Sequence, residues 1–448
     1  MDGIADMDAI REVVARSLSP LCADVPVGAV GLEAEHFCMR LDRRGGPAGR
    51  VGIAELTALL DDHPGLDAEG PQADRLTGWR TADGARFLPE PGAQLEYAGT
   101  PHTSAGAALT AMHDATADLA TFLDTRGVAL VSAGLDPWHP AESVAQSLSC
   151  PRYPAMSTYL ARRTPHGHTM MTGTASLQVN LDLGGTHQVA ERWATALLVA
   201  PLATATFASS PVPGAVNGRA VVWQWLDTTR TGIPPAFTGG VDDPVEVLTR
   251  MALDADVLLF RDARAGTVHP GEPGFTMRRW LADGHPLHGH PSADDIAYHL
   301  TTLFPEVRLR GFLEIRSIDA LPQRWRAVPI VLYAGLLYDT RAREYVRGLM
   351  EAHRAALPDL LRRAAHVGVA DPQLCALAVE VWTTAAEGAR RLPPGYVDPA
   401  ELARAERFLD TFTLRGRAPS DELRGRLAEG SEVAMRWARE PVGQLTHC

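Results

Sequence analysis

Three segments far apart in the chain each read as a strand with one chemically loaded face: Gly31 to Phe37, Ser176 to Asp182 and Phe312 to Asp319. Polar and apolar residues alternate in each. Strand side chains alternate between faces, so Glu33 and Glu35 point the same way, as do Gln178 with Asn180 and Glu314 with Arg316. An ordinary solvated strand face carries Thr, Lys and Ser; these carry carboxylates, amides and an arginine. A fourth segment, Glu90 to Glu96, bends at Pro91-Gly92 and then sets Gln94 and Glu96 on one face. Same-face neighbours on a strand stand roughly 6–7 Å apart. Two carboxylates at that distance repel by about 2.5 kcal/mol at an effective dielectric of about 20. Several such pairs in one cleft require positive charge among them. One such segment alone suits a solvated strand; together they describe a sheet floor that binds cations and phosphates.

The rest of the chain narrows the chemistry. Its 448 residues, 46% apolar, suffice for a sizeable core. A net charge of −12 with no basic run argues against a nucleic-acid partner. All 42 basic residues are arginine, in keeping with a chain rich in Ala, Gly, Pro and Arg. Without lysine there is no P-loop lysine, no Schiff-base lysine and no kinase-type lysine, so nucleotide phosphates must be met by arginine, backbone and metal. Five cysteines (Cys22, Cys38, Cys150, Cys375 and Cys448) are scattered without a C-x-x-C pair, which fits a reducing compartment and neither zinc nor disulfides. Met1 to Asp6 lacks the basic and apolar regions of a signal peptide, and the apolar stretch Trp193 to Ala208 is too short and broken by Pro201 to span a bilayer. A cytoplasmic protein without membrane partners is expected.

Helical periodicity is expected over residues 7–19, 51–61, 104–124 (capped by Ser104), 153–163, 187–208 and 293–303. Strands are expected over 29–41, 129–133, 172–183 and 308–318, and loops over 209–243. His166-Gly167-His168 reads as a solvated Pro/Gly turn rather than a metal site, and His285, His288 and His290 as a loop. Trp223 and Trp225 read as packing residues. From about residue 323 long Ala/Leu/Arg-rich amphipathic segments run onward. Strands and helices do not alternate regularly, which excludes a doubly wound sheet and points to an α+β fold on one mostly antiparallel sheet. One catalytic domain, residues 1–448, is expected: a sheet-based core over 1–340 and a helical region over 341–448 packed on it.

The ordered set Val30-Gly31-Leu32-Glu33-Ala34-Glu35, Glu90-Pro91-Gly92-Ala93-Gln94-Leu95-Glu96, Thr174 to Asp182 and Leu313 to Asp319 resembles the glutamate–cysteine ligases. It is most similar to the branch shared by plants and bacteria, in particular the bacterial ergothioneine-pathway enzyme. Arg152-Tyr153-Pro154-Ala155-Met156, Gly134-Leu135-Asp136-Pro137, Asn217-Gly218-Arg219 and Asp227 to Gly232 add to the match, which runs from about residue 30 to 340. The resemblance implies a glutamine-synthetase-like carboxylate–amine ligase fold, a curved antiparallel sheet flanked by helices. It implies ATP and Mg²⁺ as cofactors, with glutamate and an amine such as cysteine as small-molecule substrates. The glutamate side-chain carboxylate attacks the ATP γ-phosphate, and the amine displaces phosphate from the resulting acyl phosphate. Hard divalent cations with oxygen ligands suit that attack on a polyanion.

On this reading Glu33, Glu35, Glu90, Glu96 and Glu314 are the metal ligands, with Glu33, Glu314 and Arg316 as the catalytic set. Arg316 stabilises the transferred phosphoryl group. Arg219, Arg230, Arg316 and Asn180 are candidates to hold the nucleotide, Arg219 and Arg230 being open also to the glutamate carboxylate, and Arg152, Tyr153 and Gln178 the amino-acid substrate. Gln178 stands where some relatives place a metal-binding histidine. Two departures stand out: Ala93 where relatives often carry glycine, and the bulky Trp138-His139 after Asp136-Pro137, which leaves open an acceptor other than cysteine. A metal-dependent phosphotransferase or hydrolase, or a non-catalytic binding protein, are the competing classes.

Overall fold

The computed structural model describes residues 7–18, 27–70, 78–262 and 265–442; Met1 to Asp6, Ser19, Cys22 and Cys448 lie outside the described residues. Among these residues ten strands form one sheet, antiparallel throughout. Its order runs Val307–Leu309, Phe312–Ile315, Leu177–Asp182, Val30–Leu41, Leu95–Ala98, Arg86–Pro89, Gly78–Arg80 and Asp67–Glu69. The long Val30–Leu41 strand changes partners midway. Its first half pairs with Leu177–Asp182 and Leu95–Ala98, its second half with Val128–Val131 and Pro47–Arg50.

Register builds the floor. Residues opposite each other on antiparallel strands share a face. Glu33 lies opposite Gln178 on one side and Ala98 on the other, Glu35 opposite Glu96, and Glu314 opposite both Asn180 and Arg308. The alternate residues Leu32, Ala34, Leu95, Leu177, Val179, Leu181, Leu313 and Ile315 turn to the other face and are buried. A one-residue slip in any strand would bury the carboxylates and expose this core.

Helices close over the apolar face. Ala105–Asp124 starts at Ser104, whose Oγ accepts from Ala107 N at 3.2 Å. Gln323–Tyr338, buried on every residue from Arg326 onward, packs on Leu177–Asp182 and Ala105–Asp124. Pro372–Arg391 crosses it so closely that a Cβ on Gly335 would stand 2.1 Å from the Ala385 carbonyl oxygen. Behind the floor, Arg326 donates to Ser132 Oγ (3.2 Å), meets His36 Nε2 (3.2 Å) and ion-pairs with Glu440. Burial, and after it the Arg326 charge, depress His36 to about 4, so its ring is neutral there.

The chain departs from the sequence expectations in three segments. His166–Gly173 is a helix, with Pro165 (φ −69°) leading into it, and it takes up the start of the strand expected over 172–183. Gly218–Gln224 is a helix inside the expected loop, capped by Asn217 Oδ1 accepting from Ala220 N at 2.8 Å. The run 308–318 is a hairpin, Val307–Leu309 and Phe312–Ile315, turned at Gly311 (φ +73°). His285 and His288 pack their rings against Phe260 and each other. No described helix is long and apolar enough to cross a membrane.

Candidate active site

The four segments singled out in the sequence meet on one face of the sheet. Glu33 and Glu35 rise from the central strand, with Glu96 beside Glu35, Gln178 and Asn180 beside Glu33, and Glu314 beyond Asn180. Glu90 comes from the turn before Glu96, which is strapped at several points. Gly92 N donates to Gln94 Oε1 (2.9 Å), Gln94 Nε2 to Thr174 O (2.9 Å), and Arg50 Nη2 to Gly92 O (2.6 Å). Within this turn Ala93 holds φ +58°, the one non-glycine among the described residues with positive φ. That is the strain expected where an alanine replaces a glycine.

The carboxylates fall into two groups. Glu33, Glu35, Glu90 and Glu96 have no arginine within ion-pairing distance. Glu35 accepts from Ser176 N (2.7 Å) and Ser176 Oγ (3.0 Å), and Glu33 from Asn180 Nδ2 (3.1 Å), while Glu90 and Glu96 take no side-chain hydrogen bond. Burial, and then the charges of Glu35 and Glu33, push Glu90 up to about 8. Burial, then Glu33 and Glu90, push Glu96 far above the usual carboxylate range. Burial raises Glu33, with Glu314 adding to it, and burial also raises Glu35. These are side chains short of a counter-charge. Glu314 is the opposite case. Arg308 grips it with two bonds (Nε–Oε2 2.6 Å, Nη2–Oε1 2.8 Å) and Arg316 Nη1 bonds the same Oε1. Against the cost of burial, Arg316 and then Arg308 hold Glu314 at about 2.

Arg316 also donates to Gln178 Oε1 (3.1 Å) and lies over the rings of Trp223 (5.5 Å) and Phe304 (5.8 Å). Arg219 stands behind it, donating from Nη2 to Arg316 O (3.1 Å) with Nη1 3.7 Å from Asp319 Oδ1, and its charge draws Glu35 downward. Tyr153 borders Glu90, whose negative charge adds to burial in raising the phenol.

Two expected site residues lie elsewhere. Arg230 is fully buried and saturated: Nε bonds Asp227 Oδ2 (2.8 Å), Nη1 Thr302 O (3.0 Å) and Nη2 Asp256 O (2.5 Å). No face of it is left for a phosphate, so the nucleotide role is withdrawn. Arg152 turns to Thr301 Oγ1 (3.0 Å) and Thr301 O (3.2 Å), away from the acidic floor. Trp138 packs by a small apolar cluster that includes Phe37, Met39 and Leu423, while Asp136 is taken up by Trp138 N (2.9 Å), His139 N (3.1 Å) and Arg50 (3.2 Å). Arg308 and Glu306 are in the cleft and were not singled out. The Gly311 turn, which places Arg308 opposite Glu314, was the available signal for the first.

As they stand, no three acidic, imidazole or thiol groups among the described residues come into metal-holding geometry. The donor set nonetheless fits a hard divalent cation: every group is an oxygen, the charge is unbalanced, the Glu90 and Glu96 carboxylates make no side-chain hydrogen bond, and Asn180 Oδ1 is a buried acceptor without a partner. An antiparallel sheet with an acidic floor and arginines beside it defines a site for anions and for the divalent cations that neutralise them.

The comparisons agree. The model of glutamate–cysteine ligase family 2 matches residues 29–442, and the chain belongs to that family. It is 34% identical over 423 residues to the glutamate–cysteine ligase EgtA of Mycolicibacterium smegmatis, covering 92% of this chain and 90% of the relative. It is 29% identical over 371 residues to the chloroplastic glutamate–cysteine ligase of Arabidopsis thaliana, covering 79% of this chain and 67% of the relative. In fold it is similar to a crystal structure of glutamate–cysteine ligase from Francisella tularensis in complex with AMP, with a TM-score of 0.52, 12% identity, and coverage of 92% of this chain and 88% of that one.

Proposed function

We propose that this protein joins the side-chain carboxylate of glutamate to the amine of cysteine at the expense of ATP, working as a single catalytic unit in the cytoplasm, in ergothioneine biosynthesis. The observation that carries the reading is the convergence of Glu33, Glu35, Glu90 and Glu96 without a cationic partner beside Arg316, whose own ion-pair partner is Glu314. These four carboxylates, with Asn180 Oδ1, would hold Mg²⁺. The metal would neutralise phosphate oxygens and so relieve the repulsion between two anions. Glu314, gripped by Arg308 and Arg316, acts through those arginines rather than as a free ligand.

The chain's own groups supply the rest. Arg316 offers guanidinium N–H bonds to the phosphoryl group in flight between the γ-carboxylate oxygen and ADP, its plane held by Trp223, Phe304 and Gln178. Arg219, one layer back, meets an anionic end of the amino-acid substrate, and Tyr153 lines the same end by Glu90. The amine then attacks the acyl carbon, phosphate leaves, and one proton is lost from nitrogen.

The test is ADP release in Mg²⁺ buffer with glutamate and a panel of amines. Release requiring both glutamate and cysteine supports the reading. Release with ATP alone makes the protein a hydrolase, and release with glutamate alone a kinase. A better acceptor than cysteine reassigns the amine. Glu33→Gln is expected to abolish turnover with the unfolding transition intact.

A further inference from the structure

Gly92 approaches Thr172 so closely that a Cβ on it would stand 2.5 Å from the Thr172 carbonyl oxygen, and one buried side chain grips both backbones there. Arg50 ends the strand Pro47–Arg50, and its side chain is only 7% exposed. Its Nη2 donates to Gly92 O at 2.6 Å, and its Nη1 to Thr172 O at 3.4 Å and to Asp136 Oδ2 at 3.2 Å. Asp136 is held in turn by the N–H groups of Trp138 (2.9 Å) and His139 (3.1 Å). The guanidinium also lies 4.6 Å from the centre of the Phe37 ring, two residues beyond Glu35 in the same strand. None of these bonds goes to a glutamate of the floor, so Arg50 is not its counter-charge.

What Arg50 holds is the turn that carries Glu90. That carboxylate makes no side-chain hydrogen bond, so its place is set by the backbone beneath it. The turn closes on itself, Glu90 N donating to Gln94 O (2.8 Å) and Ala93 N to Glu90 O (2.8 Å), and such a unit tilts as a whole unless it is tied down. Ser147 N ties it at Pro91 O (2.7 Å) and Gln94 Nε2 at Thr174 O (2.9 Å). Arg50 supplies the charged tie, in the middle of the turn, and charge-assisted bonds are roughly twice as strong as neutral ones. Only a planar fork reaches Gly92 O, Thr172 O and Asp136 together; a lysine ammonium is a point charge. A hard divalent cation demands its oxygens near fixed positions, so the tilt of this turn decides whether Glu90 meets it.

We propose that Arg50, braced by Asp136, is a positioning residue for the divalent cation: it fixes the turn from which Glu90 reaches the ion and touches neither ion nor substrate. This rests on the reading above in which Glu90 is a metal ligand. The test uses Mn²⁺ in place of Mg²⁺ and reads its binding to the nucleotide-free protein by electron paramagnetic resonance, with urea unfolding alongside. Arg50→Met is expected to weaken Mn²⁺ binding by about 10–100-fold, the usual effect of removing a group that orients a metal ligand. Arg50→Lys, which keeps the charge and loses the fork, is expected to weaken it by about 10-fold. In turnover the Mg²⁺ concentration for half-maximal rate rises by the same factor, and kcat returns at saturating Mg²⁺. Added to Glu90→Gln, Arg50→Met is expected to change Mn²⁺ affinity by less than about 3-fold, because the ligand it positions is gone. Where Arg50→Met does not fold, Arg50→Lys carries both arms. Unchanged Mn²⁺ affinity in a folded Arg50 variant overturns the proposal, whatever the urea midpoint does. So does the same loss with and without Glu90, which would make Arg50 a general support of the fold. A wild type that binds no Mn²⁺ overturns the metal reading instead.

Discussion

Glu90 gives the acidic floor a measurable consequence for stability. Its carboxyl stands at about 8 in the folded protein against 4.5 for the group in isolation. The folded state therefore holds a proton that the unfolded chain has released between those two values. A group raised in this way costs nothing below its unfolded value, and the cost grows as pH climbs toward the folded one, at about 1.4 kcal/mol per unit. At pH 7.5 the full figure is about 4 kcal/mol; the side chain is only half-buried and water reaches part of it, so about 2 kcal/mol is a sounder expectation. Glu90→Gln removes the titration. In metal-free buffer with chelator the variant is expected to match the wild type at pH 5 and to exceed it by about 2 kcal/mol at pH 7.5, read from urea unfolding with a common m-value. Millimolar Mg²⁺ is expected to stabilise the wild type at pH 7.5, and the variant less, because the ion takes the place of the proton. Equal pH dependence in the two proteins would show that Glu90 is not electrostatically strained, and the case for a cation among these carboxylates would lose its footing.

Three further outcomes follow from single side chains. Arg316→Ala is expected to lower kcat by about 10²–10³ while changing the glutamate KM far less, since its bonds strengthen only as charge develops on the phosphoryl group; a mainly raised KM would make it a ground-state anchor. Arg230→Ala takes from buried Asp227 its closest cation, leaving Arg163 at 3.3 Å, and is expected to cost about 3 kcal/mol in urea unfolding, with the KM for ATP unchanged in the folded fraction; a raised ATP KM would restore the nucleotide role. Ala93→Gly relieves the left-handed backbone and, after glycine's own entropy cost, is expected to stabilise by about 0.5–1 kcal/mol, seen as a higher urea midpoint.

The floor was legible because alternation is a local signal. Glu33 with Glu35, and Glu314 with Arg316, declare their shared face two residues apart. Register between strands then follows from keeping Leu32, Ala34, Val179 and Leu313 on the buried side. What was not legible depends on contacts across the chain. Arg230 sits among Asp227, Asp256 and Thr302, and no pattern near residue 230 separates a buried, saturated arginine from one at a phosphate site. The helix at 218–224 rests on one cap, Asn217, amid Pro- and Gly-rich neighbours that read as loop. Glu306 lies just before a strand edge, and only the fold brings it under Arg219 and Trp223.

The division of labour between Arg308 and Arg316 follows from geometry. Glu314 needs a counter-charge because it is the most buried of the five carboxylates. Arg308, reaching from the facing strand, supplies two bonds to both of its oxygens, an arrangement that is costly to break. Arg316 adds a third bond to an oxygen already occupied, so its side chain can turn toward a phosphate without leaving a buried carboxylate bare. Arg308 and Arg316 offset two of the five glutamates, while Arg219 stands 3.7 Å from Asp319, so the floor keeps an excess of negative charge that a divalent cation would reduce. Without metal that excess is met by protons on Glu90 and Glu96, the two carboxyls raised furthest. Metal binding to this floor is accordingly an exchange of ion for protons, with an affinity that climbs with pH while Glu90 and Glu96 titrate.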